Sequence, residues 1–299
     1  MGMNILAADI GGTHTKIGIC DERGRITQFK EYATEAHMGG KHLMEKLLFQ
    51  MESYQHFDAV AISTAGQVNA DEGCILYANE NIPSYTGMKV REIVENRFHK
   101  PVKVENDVNA AALGEACFGA AKSFTDFLCL TFGTGIGGAI VMNRQIYRGA
   151  SGSAAEFGHM FTRPLSQTNG GTRKSFYETY ASTTALIRMA QEADPEIVDG
   201  KGFFDKIQVG NEPLQQILHA WTTEVSTGLA SLIHIFNPPA IIVGGGVMEQ
   251  DELVRMVEKQ TKALIMESFA GVNIVKASLG NKAGLLGAAS LFLRGMDRI

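Results

Sequence analysis

Apolar and polar positions along this chain follow two periods, and the alternation between them predicts its architecture. Short runs rich in alternating and β-branched residues mark strands at "NILAADI" (residues 4–10), "TKIGIC" (15–20) and "RITQFKEY" (25–32), joined by Gly-rich or Asp-rich turns. In "GKHLMEKLLFQMESY" (40–54) the spacing changes: Leu43, Leu47, Leu48 and Met51 recur as on one face of a helix. "AVAIS" (59–63) then reads as a buried strand, "MKVREIVENRF" (88–98) as a helix and "PVKVEN" (101–106) as a further strand. The predicted order is β-β-β-α-β-α-β.

The second part of the chain starts the same way, with strands at "FLCLTF" (127–132), "GAIVMN" (138–143) and "QIYRG" (145–149), and resumes much later with "AIIVGGG" (240–246) and "VNIVKA" (272–277). A long helical pattern over 213–236 is stopped by Asn237-Pro238-Pro239, and others follow over 251–266 and 283–293. No sequence repeat is visible, yet the element order recurs with a long insertion. This predicts an α/β protein of two related lobes around a cleft, residues 1–121 and 122–283, with the last helix (about 284–296) packing back onto the first lobe.

Composition narrows the function classes. The 299 residues are 45% hydrophobic, as in ordinary globular proteins, and 27 basic against 32 acidic residues leave a net charge of −5. No basic run is present to neutralise a nucleic-acid backbone, so no nucleic-acid partner is expected. The start, with Asp9 early, does not read as a secretory leader, and no apolar run reaches membrane-spanning length. Cys20, Cys74, Cys117 and Cys129 lack C-x-x-C spacing, which fits a reducing interior, and the expected location is the cytoplasm.

The candidate chemistry begins at "TFGTGIGGAIV" (131–141), where Gly133, Gly135 and Gly138 have the G-x-G-x-x-G spacing of a dinucleotide-binding turn. Such a turn must be followed by a helix, whereas here β-branched residues follow, so the context is strand, turn, strand. In a hairpin, glycines permit positive φ and let a phosphate approach backbone N–H groups without meeting a Cβ. The same construction stands at Asp9-Ile10-Gly11-Gly12-Thr13, and two such hairpins are able to grip a polyphosphate. Either alone also reads as a plain tight turn. Asp9 suits the magnesium of a Mg-nucleotide, an Asx turn being the alternative.

Asn106 and Asp107 lie where a strand runs straight into an Ala-rich helix. A side chain at such a strand end faces the crevice in which α/β proteins bind ligands, which makes Asp107 the candidate general base for a hydroxyl attacking a phosphoryl group. A helix N-cap is its other reading. Glu156 and His159, three apart, suit vicinal hydroxyls as acceptor and donor, or form a surface pair without a role. Glu178 by default is a solvated helix residue. Gly244, Gly245 and Gly246 after a strand either admit a flat ring or ribose against the backbone or make an ordinary turn.

In this order, "DIGGTHT", "ISTAGQV", "ENDVNAAALGE", "TFGTGIGGAIV", "GASGSAAEFGHM" and "IIVGGGV" resemble the ROK family of bacterial sugar kinases and repressors, over nearly the whole chain. The resemblance implies a two-lobed, actin-like, hexokinase-type fold with RNase H-like lobes, ATP and Mg2+ as cofactors, and transfer of the γ-phosphoryl group to a sugar hydroxyl, usually O6. It implies nucleotide phosphates at Asp9, Gly11, Gly12, Thr13, Gly133, Thr134, Gly135 and Gly138, and the nucleoside near Gly244 to Gly246. It places Asn106, Glu156, His159 and Glu178 at the sugar, Asp107 as base, and a homodimer as the assembly. Most of the family has a C-x-C-G-x-x-G-C-x-E segment that binds a structural zinc with the preceding His. Here Asn169, Gly171 and Phe176 stand in place of the cysteines, so no zinc site is expected, and Phe176 and Tyr177 are expected to order the loop by packing. By the same resemblance, family members without these cysteines include kinases of N-acetylmannosamine and of β-glucosides, while glucokinases mostly keep them, which makes those two substrates the expectation ahead of free glucose. A transcriptional repressor of the same family carries a helix-turn-helix domain before the first motif, for which residues 1–4 give no room. A catalytically idle sugar-binding protein stays as the alternative, while a P-loop kinase lacks its G-x-x-x-x-G-K-[ST] motif.

Overall fold

In the computed structural model, which describes residues 2–164 and 175–293, the chain forms two units. Unit 1 comprises residues up to 123, 148–154 and from 281; unit 2 comprises 124–147 and 155–280. Unit 1 is built on the strands β1 (Ile5–Ile10), β2 (His14–Cys20), β3 (Ile26–Ala33), β4 (Ala59–Thr64) and, after the small antiparallel hairpin β5 (Gln67–Asn69) and β6 (Cys74–Tyr77), β7 (Val102–Asn106). Its five-stranded sheet has the order β3-β2-β1-β4-β7. The first three strands are antiparallel, while β4 and β7 run parallel to β1. Parallel neighbours need crossovers, and α1 (Gly39–Met51) and α2 (Val90–Phe98) lie on them, with α3 (Asp107–Phe118) following β7 directly. Leu43, Leu47 and Met51 of α1 are buried with Leu6, Ile17, Ile62 and Val104 in one core.

Unit 2 repeats the plan. β8 (Phe127–Phe132), β9 (Ile136–Met142), β10 (Gln145–Ile146), β11 (Ala240–Gly244) and β12 (Asn273–Lys276) form a five-stranded sheet in the order β10-β9-β8-β11-β12, antiparallel then parallel as in unit 1. Between β10 and β11 lie α4 (Glu178–Ala181), α5 (Thr183–Ala193), α6 (Gly200–Gln208) and α7 (Glu212–Phe236); α8 (Asp251–Leu264) crosses from β11 to β12. Local chemistry sets the ends of α7. The Asn211 side chain accepts from the Leu214 N–H, Pro213 occupies the first turn, and Asn237 closes the helix at φ 45° before Pro238. Its apolar stripe buries Trp221, Val225 and Leu229 in the core of this unit.

Two findings differ from simple chain order. β10 is only two residues long, and the chain from Arg148 to Ala154 that follows it belongs to unit 1. The final helix, α9 (Ala283–Leu293), is also part of unit 1 and is apolar on almost every face, as suits a helix surrounded by protein. It crosses α3 at backbone distance. A Cβ on Gly114 would lie 2.7 Å from the Ala283 carbonyl oxygen, and one on Gly287 would overlap the Ala110 carbonyl. Among the described residues no helix is long and apolar enough to cross a membrane.

Gly287→Ala must therefore push two helix backbones apart. Urea unfolding is expected to show a loss of about 3 kcal/mol or more, the upper end for overpacking. Gly271→Ala, whose added methyl meets nothing within 4 Å, is expected to change stability by less than about 0.5 kcal/mol.

Candidate active site

In unit 1 the sheet register creates a small polar cluster. Asp9, near the end of β1, lies opposite Lys16 on β2 and Ser63 on β4. The Ser63 hydroxyl donates to Asp9 Oδ1 at 2.7 Å, and Lys16 Nζ stands 3.8 Å from Oδ2. Burial pushes the Asp9 carboxyl up, against the pull of Ser63 and Lys16. The Asx turn is not what forms: the Gly11 N–H donates to the His14 carbonyl at 3.1 Å, and Asp9 is engaged from neighbouring strands. Gly12 and Thr13 at the hairpin tip are exposed, and a methyl on Gly12 would enter open space.

The junction of β7 and α3 separates two roles that the sequence left joined. Asn106 is the N-cap, its side-chain oxygen accepting from the N–H groups of Val108 and Asn109 at 3.0 and 3.1 Å. Its amide nitrogen donates to the Gly66 carbonyl at 2.9 Å and to Asp107 Oδ1 at 2.8 Å. Asp107 Oδ1 also accepts the Val108 N–H at 2.9 Å, which fixes the carboxylate's orientation. With capping done by its neighbour, the Asp107 carboxylate is not the helix cap. Burial, with the charge of Asp9 adding to it, raises its carboxyl to about 6.

One residue earlier lies a group that sequence reasoning missed. Glu105 is fully buried, and Arg148 grips it with two bonds, Nη1 to Oε1 at 3.1 Å and Nη2 to Oε2 at 2.5 Å. Oε1 also accepts from the Asn106 N–H at 2.9 Å and from Asn109 Nδ2 at 3.1 Å. The guanidinium is held more strongly protonated than usual by this carboxylate. No local signal marks such a pair, since its members are 43 residues apart. Lys16 and Ser63 escaped notice for a similar reason: only strand register brings them to Asp9.

In unit 2 the turn from Gly133 to Gly135 joins β8 to β9, and Gly138 lies within β9, paired with Leu130. Its glycines were expected to supply positive φ, and this is corrected: none of Gly11, Gly12, Gly133, Gly135 and Gly138 adopts it. They supply space instead. A Cβ on Gly138 would overlap the Ala155 carbonyl and the Phe157 ring, and one on Gly135 would overlap the Glu178 carboxylate. Gly133 and Thr134 at the tip are exposed, with open space beyond Gly133. The Gly244 to Gly246 turn is adjacent, because β11 pairs with β8. Here Gly245 does need glycine's freedom, with φ 107° and no room for a Cβ against Phe132.

Glu156 precedes a single 3-10 turn, Phe157–His159, and its Oε2 is 3.5 Å from His159 Nδ1 with both side chains exposed. Ala155, with φ 71°, holds a left-handed conformation that is costly for a residue with a Cβ. Glu178 is not the solvated residue that its helix suggested. It opens α4 and accepts the Ile136 N–H at 3.2 Å. Its neighbour Tyr177 is buried and donates its hydroxyl to the Val225 carbonyl of α7 at 2.7 Å. Phe176 bridges to Phe161 and meets the His159 ring at 5.0 Å, while Asn169 and Gly171 lie outside the described residues. Thus Asp9, Gly11, Gly12, Thr13, Asn106 and Asp107 belong to unit 1; Gly133 to Gly138, Glu156, His159, Glu178 and Gly244 to Gly246 belong to unit 2.

Glycine turns join antiparallel strands in both sheets, and comparison with known proteins assigns the chain to a family. The ROK family model matches residues 5–295, and the chain belongs to that family. It is 33% identical to a beta-glucoside kinase of Listeria monocytogenes over 99% of each chain. The structure of a ROK family glucokinase from Streptomyces griseus in complex with glucose and AMPPNP matches with a TM-score of 0.84 and 33% identity, covering 96% of this chain and 98% of the other. The Lmo2764 protein of Listeria monocytogenes, proposed to be an N-acetylmannosamine kinase, matches with a TM-score of 0.88 and 29% identity over 98% and 100% of the two chains. The expected actin-like, hexokinase-type α/β fold is the one these ROK kinases share.

Replacing Arg148 by Met would strand a buried carboxylate. Denaturant unfolding is expected to show a loss of about 3–5 kcal/mol, most of it recovered when Glu105→Gln is added to the same chain.

Proposed function

We propose that this protein is an ATP-dependent sugar kinase that moves the γ-phosphoryl group to a hexose-type hydroxyl, O6 in the first instance, with Asp107 as general base. The observation that carries this reading is the environment of Asp107: half-buried, aimed by Asn106 and Val108, and raised to about 6, so that it is ionised at neutral pH yet more basic than an ordinary carboxylate. Its Oδ2 takes the proton as the sugar oxygen attacks phosphorus. Asn106, Glu156, His159 and Glu178 bind and orient the sugar.

The residues fit a Mg-nucleotide. Methyl groups on Gly12, Gly133 and Gly246 would project into open space, so a ligand can come close to the backbone there, although the Gly133 N–H itself donates to the Gly135 carbonyl at 2.9 Å; Asp9 offers the single carboxylate that Mg2+ commonly takes among waters. When bound, ATP supplies the phosphoryl group and Mg2+ offsets its charge. Thr13 and Thr134 with Gly11, Gly135 and Gly138 complete the phosphate contacts, and Gly244 to Gly246 support the nucleoside. No zinc is required to hold Glu178, since Tyr177 is anchored in α7. The working assembly is a homodimer in the cytoplasm.

Relatives named for β-glucosides, glucose and N-acetylmannosamine support a sugar acceptor and differ on which one. The substrate is taken to be N-acetylmannosamine or a β-glucoside, ahead of free glucose. A coupled ADP-release assay over glucose, N-acetylmannosamine, cellobiose and fructose tests this, and absence of turnover on every sugar would refute the kinase reading. Metal analysis of the purified protein is expected to find no stoichiometric zinc.

The base must be ionised to act. kcat/KM is therefore expected to rise with pH to about 6 and then level. Asp107→Asn is expected to lower kcat at least about a thousandfold with sugar affinity largely kept. Its effect on stability runs the other way. A folded-state pKa above the usual 3.8 means that the native fold favours protonated Asp107, a contribution lost as pH rises through about 6. At pH 7.5 the Asn variant should thus unfold at a higher temperature than the native chain.

A further inference from the structure

The Glu178 carboxylate occupies a slot made by two glycines. A Cβ on Gly135 would overlap Oε2, and one on Gly158 would lie 2.9 Å from it. Oε2 accepts the N–H of Ile136, the residue at which the chain re-enters the sheet after the Gly133 to Gly135 turn. The other side of that turn is tied to the same stretch of chain: the Thr183 N–H donates to the Gly133 carbonyl at 3.0 Å, and the Thr183 hydroxyl to the Phe132 carbonyl at 3.0 Å. Tyr177 fastens this stretch to the core. Its N–H donates to the Met160 carbonyl at 2.7 Å, its hydroxyl reaches Val225, and its ring lies on Gly228, where a Cβ would overlap it.

We propose that Glu178 is a positioning residue for the phosphate-binding turn: its carboxylate, carried by the Tyr177 anchor, holds the Gly133 to Gly138 backbone in the shape that receives a polyphosphate, before any sugar is present. This rests on the kinase reading, and extends it, because there Glu178 has only the sugar to bind. One carboxylate then serves both substrates. A charge-assisted bond from a turn N–H to a fixed acceptor orders that turn, and an ordered turn spares a ligand the cost of ordering it.

A carboxylate beside bound phosphates also repels them, so the two effects have opposite signs and are separable. Calorimetry with Mg2+ and a non-hydrolysable ATP analogue, without sugar, on the native chain, Glu178→Gln and Glu178→Ala measures both. Gln keeps an oxygen acceptor in the slot and removes the charge; Ala removes both. Positioning predicts that Ala binds the analogue about tenfold or more weakly, Gln restores at least native affinity, and AMP, lacking the β- and γ-phosphates, is bound alike by all three. Sugar affinity, measured separately, falls in both variants. Analogue binding that is unchanged or tighter in Ala, in a variant with native thermal unfolding, would overturn the proposal and leave the kinase reading standing. Failure of the native chain to bind the analogue at all would overturn both. Equal weakening of the analogue and AMP in Ala would also overturn it, since that is loss of folded protein rather than of a phosphate turn.

Discussion

Carboxylates kept away from water at the ends of parallel strands are the constraint around which this protein is arranged. An ionised carboxylate in such a place is costly unless something offsets it, and three of them in unit 1 are offset in three ways. Glu105 is neutralised by a two-pronged arginine and so serves as structure. Asp9 has a hydroxyl and a more distant ammonium. Asp107 has backbone N–H groups and an asparagine but, among the described residues, no cation, and it carries the shift to about 6. The gradation from full to partial compensation separates the acid that holds the fold from the acid suited to proton transfer.

The second organising feature is the use of glycine as space. Gly287 lets α9 meet α3, Gly284 leaves room for Asp9, Gly135 and Gly158 leave room for Glu178, and Gly228 accepts the Tyr177 ring. In each case a backbone or a functional side chain fills the volume that a methyl would need. Gly245 alone among the glycines of the three turns at Gly11, Gly133 and Gly244 is also required by its backbone angle. This is why the G-x-G-x-x-G spacing misleads when read as conformation: Gly135 and Gly138 are held to glycine by close neighbours, Gly133 faces open space, and none of the three has a positive φ.

Much of the architecture was legible in the chain. Alternating apolar runs and the stops at Asn237 and Pro238 specify strands and helices through local sterics and local hydrogen bonds, and the recurrence of β-β-β-α-β-α-β fixed the fold class. β10 fell short of its pattern: it ends at Ile146, and Arg148, two residues on, already belongs to unit 1, where it pairs with Glu105.

For the site, the sequence by itself determined the two glycine hairpins, the Asn106-Asp107 junction and the family, since these are contiguous motifs whose chemistry is carried by neighbouring residues. Only the tertiary structure decided that Asn106 caps the helix and frees Asp107, that Lys16 and Ser63 flank Asp9, and that Glu178 belongs to the turn at Ile136 rather than to solvent. Those outcomes depend on strand register and on burial. Both arise when distant segments pack together, and neither leaves a local trace for the sequence to show.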